Sequence, residues 1–270
     1  MIRVLSVGCV TPLGDDPRAV CAAVRAGESA LAPCAALAHL PDDRAAVCAG
    51  PDLGPWLRRR KDARLLARAA VLAMPAAGRA LAGCPAPVDP ETLGLYVAVG
   101  REPPDEGEAE PSMVAMHVDG ALDLARLGGE GRALYPPLLP LRTLPNMILA
   151  HVSIQHGVRG ENGTYAGEAE AGRQALRAAV RAVEEGRAPF ALVGAAYSAV
   201  DLASARDRVR GGARSPPGEA AVFAVLGDVP DASIGVPVDA CADGDLDAHM
   251  GDCGPVAGLW GLLLAWGTLA

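Results

Sequence analysis

Two carboxylates near the middle of the chain are of a type that can do acid–base chemistry. Glu168 and Glu170 stand at the beginning of residues 168–185, where apolar and charged positions recur with the spacing of an amphipathic helix. Carboxylates in a cleft can transfer protons as general acid and base. Acidic residues at a helix N-terminus also stabilise the helix dipole, and we favour this simpler interpretation for both residues.

A second group of reactive side chains lies near the C-terminus. His249 and Cys253 are four residues apart on either side of Asp252, which could bring an imidazole next to a thiol. A nucleophilic pair also needs an exposed thiol and a third, orienting group. A surface histidine and a buried cysteine are the simpler expectation. No His, Cys, Asp or Glu cluster has metal-ligand spacing, and no glycine-rich phosphate loop occurs, so we expect no metal and no cofactor.

The composition argues against several function classes. The 270 residues carry a formal net charge of −8, which argues against a nucleic-acid partner. Apolar residues make up 51% of the chain, enough for a large core. Seven cysteines without a Cys-x-x-Cys pair, and no secretory signal, predict reduced thiols in the cytoplasm. The apolar residues 254–270 are short for a bilayer span and contain four glycines, so we expect no membrane association.

Alternating strand and helix patterns predict an α/β fold with a mixed sheet covered on both faces. Apolar and β-branched runs predict strands at Ile2–Val10, 93–99, Asn162–Ala166, 189–196, 219–226 and 234–238. Helical spacing and capping residues predict helices over 15–26, 58–81, 146–156, 168–185 and 254–266. Pro75 should kink or end the second of these helices. Residues 101–110 are acidic and proline-rich, which predicts an exposed loop.

Residues 144–148 and 159–172 resemble, without a gap, the segment of β-ketoacyl synthases that ends in their nucleophilic cysteine. Six further pieces resemble this family in the same order along the chain: residues 7–14, 22–31, 59–67, 192–197, 217–222 and 251–258. The resemblance implies a single domain over residues 1–270. Its expected fold is thiolase-like, with layers α/β/α/β/α and a truncated second half.

The catalytic residues of that family are missing at the matching positions. The family's cysteine stands seven residues after the asparagine matched by Asn162 and three before the glycine matched by Gly172, and both counts lead to Ala169. A methyl group cannot attack a thioester. Asp252 occupies the position of the second family histidine, where a carboxylate would repel an enolate, and the His-Gly-Thr element of the first histidine is absent. The resemblance therefore implies a protein that does not condense acyl groups and that has no catalytic residue of the family's set.

Three functions are compatible with this pattern. The first is a non-catalytic ketosynthase-like subunit, akin to the chain-length factors of type II polyketide systems or to shortened proteins of aryl-polyene gene clusters. It would pair with an intact β-ketoacyl synthase in polyketide or fatty acid biosynthesis, and an acyl carrier protein is a further partner that this role implies. The second is a repurposed acyl-thioester hydrolase or dehydratase that uses Glu168, Glu170 or Asp252. The third is a self-associating structural remnant.

The resemblance also implies a dimer. In ketosynthases, the short strand before the nucleophile pairs antiparallel with its copy in a second subunit. The matching residues are Asn162, Gly163, Thr164, Tyr165 and Ala166. An unpaired strand is an association-prone edge, so we expect a two-fold dimer through this strand, with a second copy or with another protein.

Overall fold

A computed structural model describes residues 1–101, 106–213, 215–229, 231, 233, 235–241 and 244–268. The strands are β1 (Ile2–Val10), β2 (Leu31–Pro33), β3 (Arg44–Ala46), β4 (Gly94–Val99), β5 (His117–Val118), β6 (Ala121–Leu122), β7 (Asn162–Ala166), β8 (Phe190–Ser198), β9 (Glu219–Asp228) and β10 (Val236–Pro237). The α-helices are α1 (Pro17–Arg25), α2 (Arg68–Ala82), α3 (Glu106–Ala115), α4 (Leu124–Arg126), α5 (Arg132–Leu134), α6 (Pro140–Thr143), α7 (Met147–His156), α8 (Ala169–Glu184), α9 (Leu202–Arg210), α10 (Asp247–Met250) and α11 (Trp260–Gly267). 3₁₀ turns cover Ala35–Leu37, Gly54–Trp56, Arg60–Leu65, Val238–Ala240 and Gly254–Leu259, and a π turn covers Leu127–Gly131.

Six strands form one mixed sheet in the order β10-β1-β9-β8-β4-β7. β7, β4 and β8 run parallel, whereas β9, β1 and β10 continue the sheet by antiparallel pairing. Val97 in β4 stands opposite Thr164 in β7 and opposite Gly194 in β8. β7 is therefore an edge strand that pairs with only one neighbour in the described part of the chain.

Helices cover both faces of this sheet. α2 and α7 pack on one face, over a core that includes Leu95, Val97 and Phe223. α8, the 3₁₀ turn Gly254–Leu259 and α11 pack on the other face, around the fully buried Trp260. The sheet between helices confirms the predicted α/β class. The described residues supply three of the five layers of the expected fold.

The central strands lie in the interior because both of their faces are apolar. Every residue of β1 is buried, and every residue of β9 except Asp228 is buried as well, as expected for strands covered on both sides. α8 instead has a single buried stripe that contains Ala175, Ala179 and Ala182, while Arg177 is exposed. The predicted helix over 168–185 is confirmed to within one residue at each end.

The helix prediction for residues 58–81 is wrong at its start, and Pro75 does not end the helix. The α-helix begins only at Arg68, after the 3₁₀ turn Arg60–Leu65, and continues through Pro75 to Ala82. Proline removes one hydrogen bond of the helix. The residues from Leu72 to Gly78 are all buried, however, and packing of α2 against β1, β8 and β9 outweighs this loss.

Three other segments also differ from their predictions. Residues 106–110, predicted as a loop, form the first half of α3, because acidic residues are well tolerated in the first turn of a helix; residues 102–105 lie outside the described ranges. Residues 254–266 form a 3₁₀ turn followed by α11 and not one continuous helix. The strand at 234–238 shrinks to Val236–Pro237, and residue 234 is not among the described residues. None of the helices in the described ranges is long and apolar enough to cross a membrane.

Candidate functional site

An open cleft of about 690 Å³ lies beside the N-terminus of α8. Its walls come from the first residues of α8, the end of β8, the helix α9 and the residues before and after Cys253. The lining residues are Arg101, Glu168, Ala169, Arg173, Tyr197, Ser204, Asp207, Arg208, Gly211, Gly212, Ala213, Gly244, Asp245, Asp247, Asp252, Gly254 and Ala257.

Two glycines bring α8 against the opposite wall of the cleft. A Cβ atom on Gly258 would lie 2.0 Å from the backbone oxygen of Ala169, and one on Gly172 would lie 2.2 Å from the backbone oxygen of Pro255. Side chains cannot approach a backbone so closely, so both positions require glycine for this packing. The contact places Ala169, the first residue of α8, on the wall of the cleft.

Glu168 lines the cleft, and its side chain does not cap the helix. It is the N-cap residue of α8, where an acidic side chain commonly accepts a hydrogen bond from a first-turn amide. Its side chain accepts no such bond, and it forms no ion pair within the described part of the chain. Partial loss of hydration raises the pKa of Glu168, the charge of Asp252 raises it further, and Arg208 lowers it.

Asp252 is fixed in the cleft wall by several contacts. Its Oδ2 atom lies 2.8 Å from Nη1 of Arg208, and its Oδ1 atom accepts a hydrogen bond of 2.8 Å from the backbone N–H of Gly254. Its own backbone N–H donates to the oxygen of Pro216 at 2.8 Å. Arg208 is fixed in turn, because its Nη2 atom donates to the backbone oxygen of Ser215 at 3.1 Å. The pair forms a rigid, charged part of the wall.

Tyr197 adds a buried phenol to the same cleft. Tyr197 is 5% exposed. Burial raises the pKa of Tyr197 to about 12, the charges of Glu168 and Asp252 also raise it, and Arg208 lowers it. The hydroxyl therefore stays protonated at neutral pH and can donate a hydrogen bond.

The structure places Glu168 and Asp252 in the same cleft, but it places Glu170 elsewhere. The carboxylate of Glu170 accepts hydrogen bonds from Nε of Arg173 and from Nη1 of Arg177, each at 2.7 Å, on the exposed side of α8. Glu170 does not line the cleft. Both arginines lower its pKa, so it stays ionised at neutral pH.

His249 and Cys253 do not form a nucleophilic pair. The half-buried His249 has its Nδ1 atom 2.6 Å from the backbone oxygen of Glu28. Cys253 is fully buried, and its Sγ atom lies 3.4 Å from the backbone oxygen of Met250. Burial raises the pKa of the Cys253 thiol well above its usual range, which disfavours the nucleophilic thiolate. Both residues therefore serve the local structure.

Sequence reasoning missed several residues of this cleft, among them Tyr197 and Arg208. Tyr197 follows a segment whose pattern indicates only a buried strand. Arg208 lies on α9, a helix that is missing from the sequence prediction, although Asp201 is a suitable N-cap and accepts a hydrogen bond from the N–H of Ser204 at 2.8 Å. That capping pattern is the one signal from which α9 could have been found. Nothing in the sequence indicated that Arg208 would reach Asp252, 44 positions later.

The cleft is acidic overall. Among the residues that the structure describes, five carboxylates and three arginines line it. Burial, together with Asp252 and Asp245, raises the pKa of Asp247, which lies on the same wall. Within the described ranges, no three His, Cys, Asp or Glu side chains are grouped so that they could hold a metal ion.

The sequence of the chain matches a known family over most of its length. Residues 1–229 match the family described as "Beta-ketoacyl synthase, N-terminal domain". The chain belongs to this family. The predicted family and its thiolase-like fold are thereby confirmed. No curated protein has a significant sequence match to the chain.

Solved structures of ketosynthases have a similar fold. A ketosynthase of a type II polyketide synthase, in complex with its acyl-carrier protein, superposes with a TM-score of 0.64 at 19% identity, over 84% of this chain and 62% of that one. The ishigamide ketosynthase/chain length factor gives a TM-score of 0.64 at 22% identity, over 86% and 63%. A β-ketoacyl synthase from Burkholderia phymatum gives 0.62 at 19%, over 84% and 59%. The present chain thus spans less than two thirds of the length of these relatives.

Proposed function

We propose that this protein is a non-condensing ketosynthase-like subunit of the chain-length-factor type, in polyketide or fatty acid biosynthesis. It pairs with a complete β-ketoacyl synthase or with a second copy of itself, acts in the cytoplasm as one domain, and does not elongate acyl chains. The observation that carries this proposal is Ala169, a residue with a methyl side chain at the start of α8, where the family has its nucleophile. The edge strand β7, which matches the family's dimer strand, is nevertheless present.

The loss of condensing chemistry is supported by the neighbours of Ala169. Asp252, at the position matched to a family histidine, is paired with Arg208 and accepts the N–H of Gly254. Among the described residues that line the cleft there is no cysteine and no histidine. The nearby Cys253 is buried, with a raised pKa. An acyl group therefore has no thiolate to which it could be transferred.

The hydrogen bonding of β7 supports pairing with another chain. The N–H of Leu95 in β4 donates to the oxygen of Glu161, and the N–H of Gly167 donates to the oxygen of Val99. In a parallel pair, alternate residues bond to the neighbouring strand. Gly163 and Tyr165 therefore face β4, and the N–H and C=O groups of Thr164 point away from the sheet.

This alternation defines how two copies of β7 can pair. The backbone groups of Asn162, Thr164 and Ala166 all point outward, and they are placed symmetrically about Thr164. In an antiparallel pair with a two-fold axis at Thr164, its N–H and C=O bond to the same residue of the second strand, and Asn162 faces Ala166. The sheet then becomes continuous across both chains.

Exposed apolar side chains outside the sheet also support association. Most of the large apolar residues that are exposed in the described ranges lie between β4 and α7, on α3 to α6 and their connections. These residues are Met113, Val114, Val118, Leu122, Leu124, Leu127, Leu134, Tyr135, Leu138, Leu141 and Leu144. A concentration of exposed apolar residues in one part of the chain is consistent with a protein–protein contact site there.

Two of the similar structures suggest which partners to test. One is a ketosynthase that was solved with its acyl-carrier protein, and the other is described as a ketosynthase/chain length factor. A ketosynthase and an acyl carrier protein encoded near this chain are therefore the first candidates. A second copy of this chain, pairing through its own β7, is the alternative partner.

The test is the molar mass in solution, alone and mixed with a candidate ketosynthase. We expect a two-chain complex at micromolar concentration by light scattering. Thr164→Pro removes an outward-facing N–H from each copy of β7 in a homodimer, without loss of a bond to β4, and should weaken pairing by roughly tenfold to a hundredfold. Thr164→Ala keeps the N–H and serves as the matched control. A monomeric wild-type chain that binds no ketosynthase contradicts the proposal.

A further inference from the structure

The cleft contains groups that the proposed function does not use. Glu168 is a carboxylate without an ion-pair partner among the described residues, Tyr197 is a protonated donor, and Arg208 is a cation that is fixed by Asp252 and Ser215. A general base, a hydrogen-bond donor and a cation in one cleft are the components of a hydrolytic site.

Glu168 and Ala169 both line the cleft, whose volume of about 690 Å³ can hold water and a small substrate. The first N–H groups of a helix have no acceptor within the helix, and the residues at the start of α8, Glu168 and Ala169, line the cleft. Such N–H groups can bind an oxygen that becomes negative during a reaction. Tyr197 lines the same cleft as a second donor.

The charge of the cleft indicates which substrates it takes. Carboxylates outnumber arginines in the lining by five to three, so an anionic substrate is repelled and a neutral acyl group is not. A carboxylate product is repelled for the same reason, which favours its release.

We propose that this cleft hydrolyses neutral acyl esters or thioesters directly, with Glu168 as general base and without an acyl-enzyme. Glu168 takes a proton from water while the water oxygen bonds to the acyl carbon. Tyr197 and the N–H groups at the start of α8 bind the resulting oxyanion. The bond between carbon and the leaving sulfur or oxygen then breaks, and the leaving group takes the proton from Glu168, so that one acid and one thiol or alcohol form.

Arg208 is a positioning residue that limits the repulsion between Glu168 and Asp252. This inference goes beyond the proposed function and does not depend on it.

The first experiment measures release of thiol from butyryl-N-acetylcysteamine, and of p-nitrophenol from p-nitrophenyl butyrate, by the purified full chain. We expect turnover of at least one of the two, with equal amounts of acid and leaving group. Succinyl-N-acetylcysteamine, which carries a negative charge, should have a kcat/KM about tenfold lower than the butyryl thioester. Absence of turnover above the buffer rate for both butyryl substrates overturns the inference.

Single substitutions test which residues catalyse the proposed hydrolysis. Glu168→Gln should lower kcat about 100-fold or more, and Tyr197→Phe by roughly 100-fold. Glu170→Gln, the same change on the exposed side of α8, should leave the rate within about twofold, and Cys253→Ala should do the same. Circular dichroism and the Tm of each variant show whether it is folded. Equal rates for the wild type and Glu168→Gln overturn the assignment.

The pH profile and the product distinguish hydrolysis with Glu168 as base from dehydration. The kcat/KM should rise with pH as Glu168 loses its proton, at a midpoint above the usual glutamate pKa of about 4.3, and Arg208→Lys should move that midpoint. With 3-hydroxybutyryl-N-acetylcysteamine, formation of the unsaturated thioester without thiol release indicates dehydration and overturns hydrolysis. A chain that pairs through β7 but hydrolyses nothing refutes this inference alone and leaves the proposed subunit role intact.

Discussion

Nη1 of Arg208 lies 2.8 Å from Oδ2 of Asp252, and this contact joins α9 to the segment that precedes α11. The side chain of Arg208 is only 12% exposed and that of Asp252 is 28% exposed. The pair therefore differs from the many ion pairs on the surface of this protein, which contribute little because water and salt screen them.

The first prediction concerns the stability that this pair provides. Arg208→Leu should lower the free energy of unfolding by about 2 kcal/mol, because Asp252 keeps its charge but loses its partner in a partly buried position. Arg177→Leu removes an exposed ion pair with Glu170 and should cost less than about 1 kcal/mol. Urea denaturation followed by circular dichroism measures both values. Equal losses for the two variants would show that burial does not distinguish these pairs.

The second prediction concerns the packing of α8 against the 3₁₀ turn Gly254–Leu259. Gly258→Ala places a methyl group where it would lie 2.0 Å from the backbone oxygen of Ala169, so α8 must move. We expect a loss of about 2 kcal/mol or more in the free energy of unfolding. Gly50→Ala is the control, since no atom lies within 4 Å of its new methyl group. If Gly258→Ala is as stable as the wild type, the contact is not as close as described.

The third prediction concerns pH. His151 is 4% exposed and its Nε2 atom has no hydrogen-bond partner. Burial lowers its pKa, although a backbone contact at Leu65 and the charge of Asp62 act in the opposite direction. In the unfolded chain the histidine pKa is about 6.5. The neutral form is thus favoured by folding, and stability that is present above this value is lost as the pH falls below it.

The measurement is the free energy of unfolding between neutral pH and about pH 5, where ordinary carboxylates remain ionised. We expect a decrease in the wild type and a smaller decrease in His151→Gln. His39→Gln, which changes an exposed histidine, is the matched control. A pH dependence that His151→Gln does not reduce would assign the effect to another group, of which His156 is the first to consider because burial also lowers its pKa.

The fourth prediction concerns the position of the missing nucleophile. Ala169→Cys should introduce a thiol that a short pulse of iodoacetamide alkylates faster than Cys9, Cys48 and Cys253, which are buried, because a helix N-terminus favours the thiolate. Peptide mass spectrometry measures the site and the rate. The variant should still not condense malonyl and acyl units, since Asp252 remains and no histidine lines the described part of the cleft. Restored condensation would mean that the histidines are dispensable here.

The sequence by itself determined the class of the fold and the central elements. Residues of β1, β8 and β9 are apolar on both faces, and such strands have no stable place except between two layers of helices. The stripe of Ala175, Ala179 and Ala182 likewise specifies the buried side of α8. The match of Ala169 to the family's nucleophile position also followed from the sequence, by counting residues from Asn162 and Gly172, because that segment matches the family without a gap.

Only the tertiary structure decided which charged residues meet. Glu168 and Glu170 are equivalent in a helical pattern, yet one lines the cleft and the other binds Arg173 and Arg177 on the surface. Local patterns also failed where distant packing outweighed them, as in the continuation of α2 through Pro75. Arg208 and Asp252 are brought together because the backbone of Asp252 pairs with residues 216–218, between α9 and β9. Local sequence patterns do not indicate such a long-range contact. Periodicity describes how one segment is oriented, whereas a site depends on contacts between segments that are far apart in the chain.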